Sequence, residues 1–301
     1  MTETSAEKAT QATFIRAVGR SLKGSRGETN AEYICCVNYS EGTFRGLYGV
    51  ANGRAGTCAE DAASELAVET LKDRMDKNLH ASEADAPHLL EDAMDRVNAA
   101  LVEKNDSLEE NNGNMRASIV CGLVDSSNTA HIACAGGGAV YLIQDGRISR
   151  LTEKNFLENP GEQSPEWIEE GSVPAGWNLE HFKAAFLSQP LEEDSTLVFC
   201  SDGVISRVDN LSIQELLTEA STIDEGVDKL LETAHRQNDS SDVSAVIVRI
   251  EGPRSGEDEE TRESISKHDV RKRIFKAEQD IATAEDGVES CREEYREHIE
   301  N

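Results

Sequence analysis

Basic residues are scarce in this sequence: 30 Lys and Arg stand against 58 Asp and Glu over 301 residues, for a formal net charge of −28. Nucleic acids and anionic membrane surfaces are held by clustered Lys and Arg, so the balance argues against both as partners. Long apolar runs are missing too. No stretch of about 18 apolar residues occurs, so no segment reads as a membrane-spanning helix. Residues 1–13 are polar, lack the apolar core of a signal peptide and are expected to be disordered. The seven cysteines, at 35, 36, 58, 121, 134, 200 and 291, include no C-x-x-C pair and fall mostly inside apolar runs. That pattern excludes a zinc ribbon and fits buried, reduced thiols better than disulfides. The expected location is cytoplasmic, with the nucleus left open. Aromatics are few at 5%, but a 38% apolar fraction still suffices for a core of aliphatic and small residues.

Strand-like apolar runs at Tyr33–Val37 and Gly46–Ala51 flank Asn38, Ser40 and Gly42 and read as a hairpin. Two helices should follow. Thr57 and Glu60 have capping-box spacing, and Ala63, Ala67, Leu71 and Met75 form an i+4 stripe. After Pro87, the residues Leu90, Ala93, Met94, Val97 and Leu101 repeat the helical period. Strands return at 116–124, 129–135 and 140–143, with an Asp145-Gly146 turn, and again at 196–201 and 243–250. Helical periods occupy 213–220 and 227–235, whereas Pro and Gly break every period across 155–190. The Gly136–Gly138 run lacks a following Lys and opens no helix, so it reads as a tight strand-to-strand turn rather than a phosphate loop. This element order predicts an α+β fold, a mainly antiparallel sandwich of sheets flanked by helices, over residues 14–252.

Composition shifts at Pro253. Residues 253–266 form a charged linker, and 267–301 are polar apart from one seam: Val270, Ile274, Ala277, Ile281, Ala284, Val288, Cys291 and Tyr295. These positions alternate by four and three residues, which predicts a heptad-patterned, coiled-coil-like C-terminal helix. Ile274, Ile281, Val288 and Tyr295 are then the candidate partner-binding positions. A parallel homodimer would bring Asp280 near Glu285, so docking on the domain itself or on a more basic chain is favoured.

Four segments carry a resemblance: Arg26; the strand end Val50–Gly56; Ser201-Asp202-Gly203; and Asp242 before the last strand. Their order resembles that of the metal-dependent type 2C Ser/Thr protein phosphatases. The resemblance implies an α-β-β-α sandwich whose carboxylates hold two divalent cations, which activate a bridging water and clamp the phosphoryl group. Arg26 stands at the phosphate-binding position. The acidic pair that should follow is Asn30-Ala31, the bridging Asp is Asn52, and the His acting as acid is Arg54. Gly53, Asp202 and Asp242 are retained, while the family's Gly-Asp-Ser-Arg turn reads Gly136-Gly137-Gly138-Ala139.

Two carboxylates and an amide hold a two-metal cluster poorly, so no catalytic residue is assigned. Asn52, Gly53, Asp202 and Asp242 are vestigial metal-site positions, and weak Mn or Mg binding falls to Asp202 and Asp242. Arg54 is expected to replace the cations' charge beside those aspartates. Leu47–Gly53, with Asn for the bridging Asp, resembles the pseudophosphatase adaptors that bind the TGF-β-activated kinase. The expected function is therefore an inactive adaptor that binds and regulates a protein kinase or signalling complex. The alternatives are a weak Mg/Mn-dependent Ser/Thr phosphatase and a coiled-coil assembly protein.

Overall fold

A computed structural model describes residues 13–53, 60–107, 115–152, 175–176 and 182–252. The chain divides into two units, residues 1–252 and 253–301, and every described residue belongs to the first. The heptad positions Ile274, Ile281, Val288 and Tyr295, like Arg54 and Thr57, lie outside the described residues.

Two antiparallel five-stranded sheets form the centre. One runs β1 (Phe14–Leu22), β10 (Val243–Glu251), β9 (Thr196–Cys200), β6 (Ala139–Gln144) and β7 (Arg147–Arg150). The other runs β2 (Glu32–Asn38), β3 (Phe44–Gly53), β4 (Ala117–Asp125), β5 (Thr129–Ala135) and β8 (Ala185–Pro190). Alternation along each strand sends one set of side chains between the sheets. Tyr48, Val50, Val120, Ile132, Phe199, Val246 and Val248 meet there as one buried cluster. Each fully buried aliphatic or aromatic side chain of this kind contributes about 1.5–3 kcal/mol. The opposite parity packs under helices. The stripe Ala63, Ala67, Leu71 and Met75 of α1 (Glu60–Asp76) and the apolar face of α2 (Ala86–Asp106) cover the second sheet. Besides the short α3 (Asp202–Ile205), α4 (Asn210–Glu219) and α5 (Ile223–Gln237) cover the first. The expected α+β sandwich flanked by helices is the observed architecture.

Two local readings need correction. Residues 14–22, unassigned from sequence, form β1. Its helix-facing positions Arg16 and Arg20 pair with Asp224 and Asp228 of α5 instead of entering an apolar layer, which hides the alternation. The irregular stretch 155–190 contains β8, an edge strand whose side chains are largely exposed and so carry no apolar signal. Gly136–Gly138 is the expected strand-to-strand turn, and it carries the chain from β5 in one sheet to β6 in the other. Gly136 and Gly138 adopt φ of +78° and +109°, a region open to glycine and costly for other residues.

Candidate functional site

Four motif positions, Asn52, Gly53, Asp202 and Asp242, converge at one end of the sandwich, where β3 ends, α3 begins and β10 starts. Register places Asn52 and Gly53 at the end of β3, opposite Glu32 of β2 on one side and Ala117–Ser118 of β4 on the other. Asp202 opens α3 directly after β9, and Asp242 precedes β10. Gly203 and Gly53 are there because nothing larger fits. A Cβ on Gly53 would lie 1.8 Å from the Glu60 carbonyl oxygen, and one on Gly203 would lie 2.1 Å from that of Asp242.

The Asn52 amide nitrogen donates to Asp202 Oδ1 at 2.6 Å. An ionised carboxylate can only accept, so the amide must turn its NH2 toward Asp202. The Gly203 N–H donates to the same oxygen at 3.0 Å. Asp242 is occupied on both oxygens: Oδ1 accepts from the Gly24 N–H at 2.6 Å and Oδ2 from the Ala31 N–H at 2.7 Å. Asp242 thus straps down the loop between β1 and β2. Asn30, at one of the lost acidic positions, accepts from the Glu32 N–H at 2.9 Å and donates to Ser21 Oγ at 2.7 Å. The polar chain continues from Ser244 Oγ to Ser21 Oγ and from the Ser244 N–H to Ser201 Oγ. Gly137 lies against Asp202: a Cβ there would sit 3.4 Å from its Oδ2.

Arg26 rides on the strapped loop. Its backbone N–H donates to the Ser240 carbonyl at 3.1 Å, and the residue is exposed. Asn52, Gly53, Asp202 and Asp242 are thus brought together as the motif order implied. The structure does not report on Arg54, the residue assigned to neutralise the two aspartates. Among the described residues, hydrogen bonds from Asn52, Gly24, Ala31 and Gly203 supply that compensation.

Sequence reasoning missed Glu32. It is 5% exposed, with even parity on β2 alongside Ile34 and Cys36, so its side chain enters the space between the sheets. Neither carboxyl oxygen has a partner in bonding geometry. Burial is the dominant influence and pushes its pKa up to about 8; the nearby Ser244 and Ser201 hydroxyls favour the charged form, and the charges of Asp202 and Asp242 oppose it. The signal was present in Ala31-Glu32-Tyr33-Ile34: alternation gives the acid the inward parity of an apolar strand.

Two divalent cations do not fit this arrangement. The bridging position presents amide hydrogens instead of anionic oxygen, both Asp242 oxygens are committed to backbone N–H groups, and burial favours the neutral form of Glu32. Among the described residues, no three His, Cys, Asp or Glu side chains are grouped to hold a metal ion.

No family model matches the chain. A Ser/Thr phosphatase, stp, of Listeria monocytogenes is 25% identical over 227 residues, covering 69% of this chain and 86% of the relative. The structure of Stp1 from Staphylococcus aureus superposes with a TM-score of 0.68 at 21% identity, covering 82% of this chain and 99% of that one. The catalytic domain of the phosphatase PstP, solved with two manganese ions, gives 0.64 at 21% identity over 79% of this chain and 99% of its own. The chain is thus similar in sequence to curated Ser/Thr phosphatases and shares its fold with solved bacterial Ser/Thr phosphatases.

Proposed function

We propose that the domain is a catalytically silent phosphatase-fold module that works by binding, with a protein kinase or its complex as partner. The observation that carries this is the 2.6 Å hydrogen bond from the Asn52 amide to Asp202. A position that would have to present charge to two cations instead gives a proton donor to one of the retained carboxylates. The partner class rests on the resemblance of Leu47–Gly53 to kinase-binding pseudophosphatases. Exposed Arg26, on a loop fixed by Asp242, is suited to meet a phosphate on such a partner.

Titration calorimetry with manganese tests the reading. The wild-type protein is expected to give no heat of binding up to millimolar metal, and Asn52→Asp to gain a measurable site. Micromolar binding by the wild type would overturn it. A second reading, weak Mg- or Mn-dependent hydrolysis through Asp202 and Asp242, is favoured by the phosphatase relatives.

A further inference from the structure

At the far end of the second sheet, three side chains that the phosphatase reading does not use form a relay. His131 of β5 lies 2.9 Å through Nδ1 from Ser188 Oγ of β8, and 3.0 Å through Nε2 from Asp125 Oδ2 at the end of β4. The His131 and Asp125 side chains are 8% and 3% exposed, whereas Ser188 is open to solvent. The other Asp125 oxygen is fixed by the Ser127 N–H at 3.0 Å, the Ser127 hydroxyl at 2.7 Å and the Thr129 N–H at 2.8 Å. Asp125 is eight residues along β4 from Ala117, which pairs with Gly53. At about 3.4 Å per residue, the cluster is roughly 27 Å from the phosphatase-like pocket.

We propose that Ser188, His131 and Asp125 form a nucleophile–base–orienter triad, making Ser188 a serine activated toward small activated esters and phosphonates. An ionised Asp125 can only accept, so in the neutral imidazole Nε2 carries the ring proton and Nδ1 accepts from the serine hydroxyl. That is the protonation state a general base needs, with the two ring nitrogens exchanging the roles they hold in the usual Ser-His-Asp order. Oxyanion stabilisation is available on the same residue. Leu191 donates to the Asn128 carbonyl at 2.8 Å, so hydrogen-bonded pairs alternate along β5 and β8 and Ser188 falls in a non-bonded pair with His131. Because β8 is the edge strand, the Ser188 N–H points outward, away from β5.

In the step itself, Ser188 Oγ bonds to the ester carbonyl carbon while its proton passes to His131 Nδ1. The leaving group departs with the electron pair of its C–O bond and takes that proton. Water, giving a proton to His131 Nδ1, then attacks the acyl carbon; the bond to Ser188 Oγ breaks, Oγ takes that proton back from His131, and the acid is released. Asp125 remains ionised throughout. Among the described residues the side chains of this edge strand are largely exposed, which suits small acyl groups rather than a long, specific substrate.

The test is covalent labelling of the full-length protein with a fluorophosphonate probe in EDTA, followed by peptide mass spectrometry. General-base activation contributes roughly 10²-fold or more, so Ser188 should label at least about 10²-fold faster than exposed serines such as Ser107. Ser188→Ala should abolish that label and His131→Gln slow it comparably. Equal reactivity of Ser188 and other surface serines in the wild-type protein would overturn the proposal, whatever the folding of the His131 variant. Unchanged labelling of Ser188 in a folded His131→Gln protein would also overturn it.

Discussion

Replacing Glu32 with Gln should stabilise the domain at neutral pH, and the gain should vanish in acid. Glu32 is buried without a hydrogen-bond partner for either oxygen, and its pKa rises from an ordinary 4.5 to about 8. A carboxyl with a raised pKa holds its proton in the folded state after the unfolded chain has released it. Its effect on stability is therefore absent below about 4.5, grows unfavourably as pH rises, and levels off above about 8. At pH 7 the group sits about 2.5 pH units above its unfolded value, and at 1.36 kcal/mol per unit the penalty is about 3 kcal/mol. Gln keeps the shape and does not titrate. Urea unfolding followed by circular dichroism, in EDTA at pH 5, 6, 7 and 8, gives the comparison. The stability of the variant minus that of the wild type should rise by about 2–3 kcal/mol between pH 5 and 7. Using the difference cancels the general repulsion of a chain carrying −28 charges. A flat difference across that range, or a loss of stability in the variant that deepens with pH, would refute the reasoning, because it would mean Glu32 is ionised and compensated in the fold.

Further expectations follow from the same geometry. Asp242→Ala removes two charge-assisted hydrogen bonds to the β1–β2 loop; it should cost roughly 2–4 kcal/mol and speed tryptic cleavage after Lys23 or Arg26. Gly203→Ala should lower the melting temperature sharply, since its Cβ would meet the Asp242 carbonyl oxygen at 2.1 Å. For Asp125, burial raises the pKa, but the hydrogen bonds from His131, Ser127 and Thr129 outweigh it and hold the carboxyl below its ordinary range. The stability lost in Asp125→Asn, roughly 1.5–3 kcal/mol for hydrogen bonds to a charged group, should be full at neutral pH. It should shrink only as pH falls below about 4, read from acid unfolding of both proteins.

The sandwich was legible in sequence wherever one face of an element is apolar and the other polar. The α1 stripe carries that contrast, whereas β3 and the final strand show as short apolar runs buried on both faces, and each forms close to its expected bounds. It failed where another interaction substitutes for burial. On β1, ion pairs from Arg16 and Arg20 to α5 take the place of apolar contacts, and on β8 the side chains face solvent. The candidate site was legible as an ordered set of glycines and acids, because sharp strand ends demand those residues. Its chemistry was less so. Asn30 and Ala31 looked like plain losses, yet one caps its own strand and the other supplies the N–H that binds Asp242. Glu32 went unnoticed because charge counting considered motif positions and not the parity of the strand beside them. Asp125, His131 and Ser188 are separated by up to 63 residues and meet only through the pairing of β4, β5 and β8, so no local spacing announces them.

The central claim is that the pocket is closed by its own hydrogen bonds and performs no metal-assisted hydrolysis. The most direct test is turnover of a phosphoserine peptide by the purified protein in millimolar manganese, with Asp202→Ala as the control. The account predicts phosphate release no greater than that of the control. Turnover that depends on manganese and disappears in Asp202→Ala would contradict it and make the domain a working phosphatase.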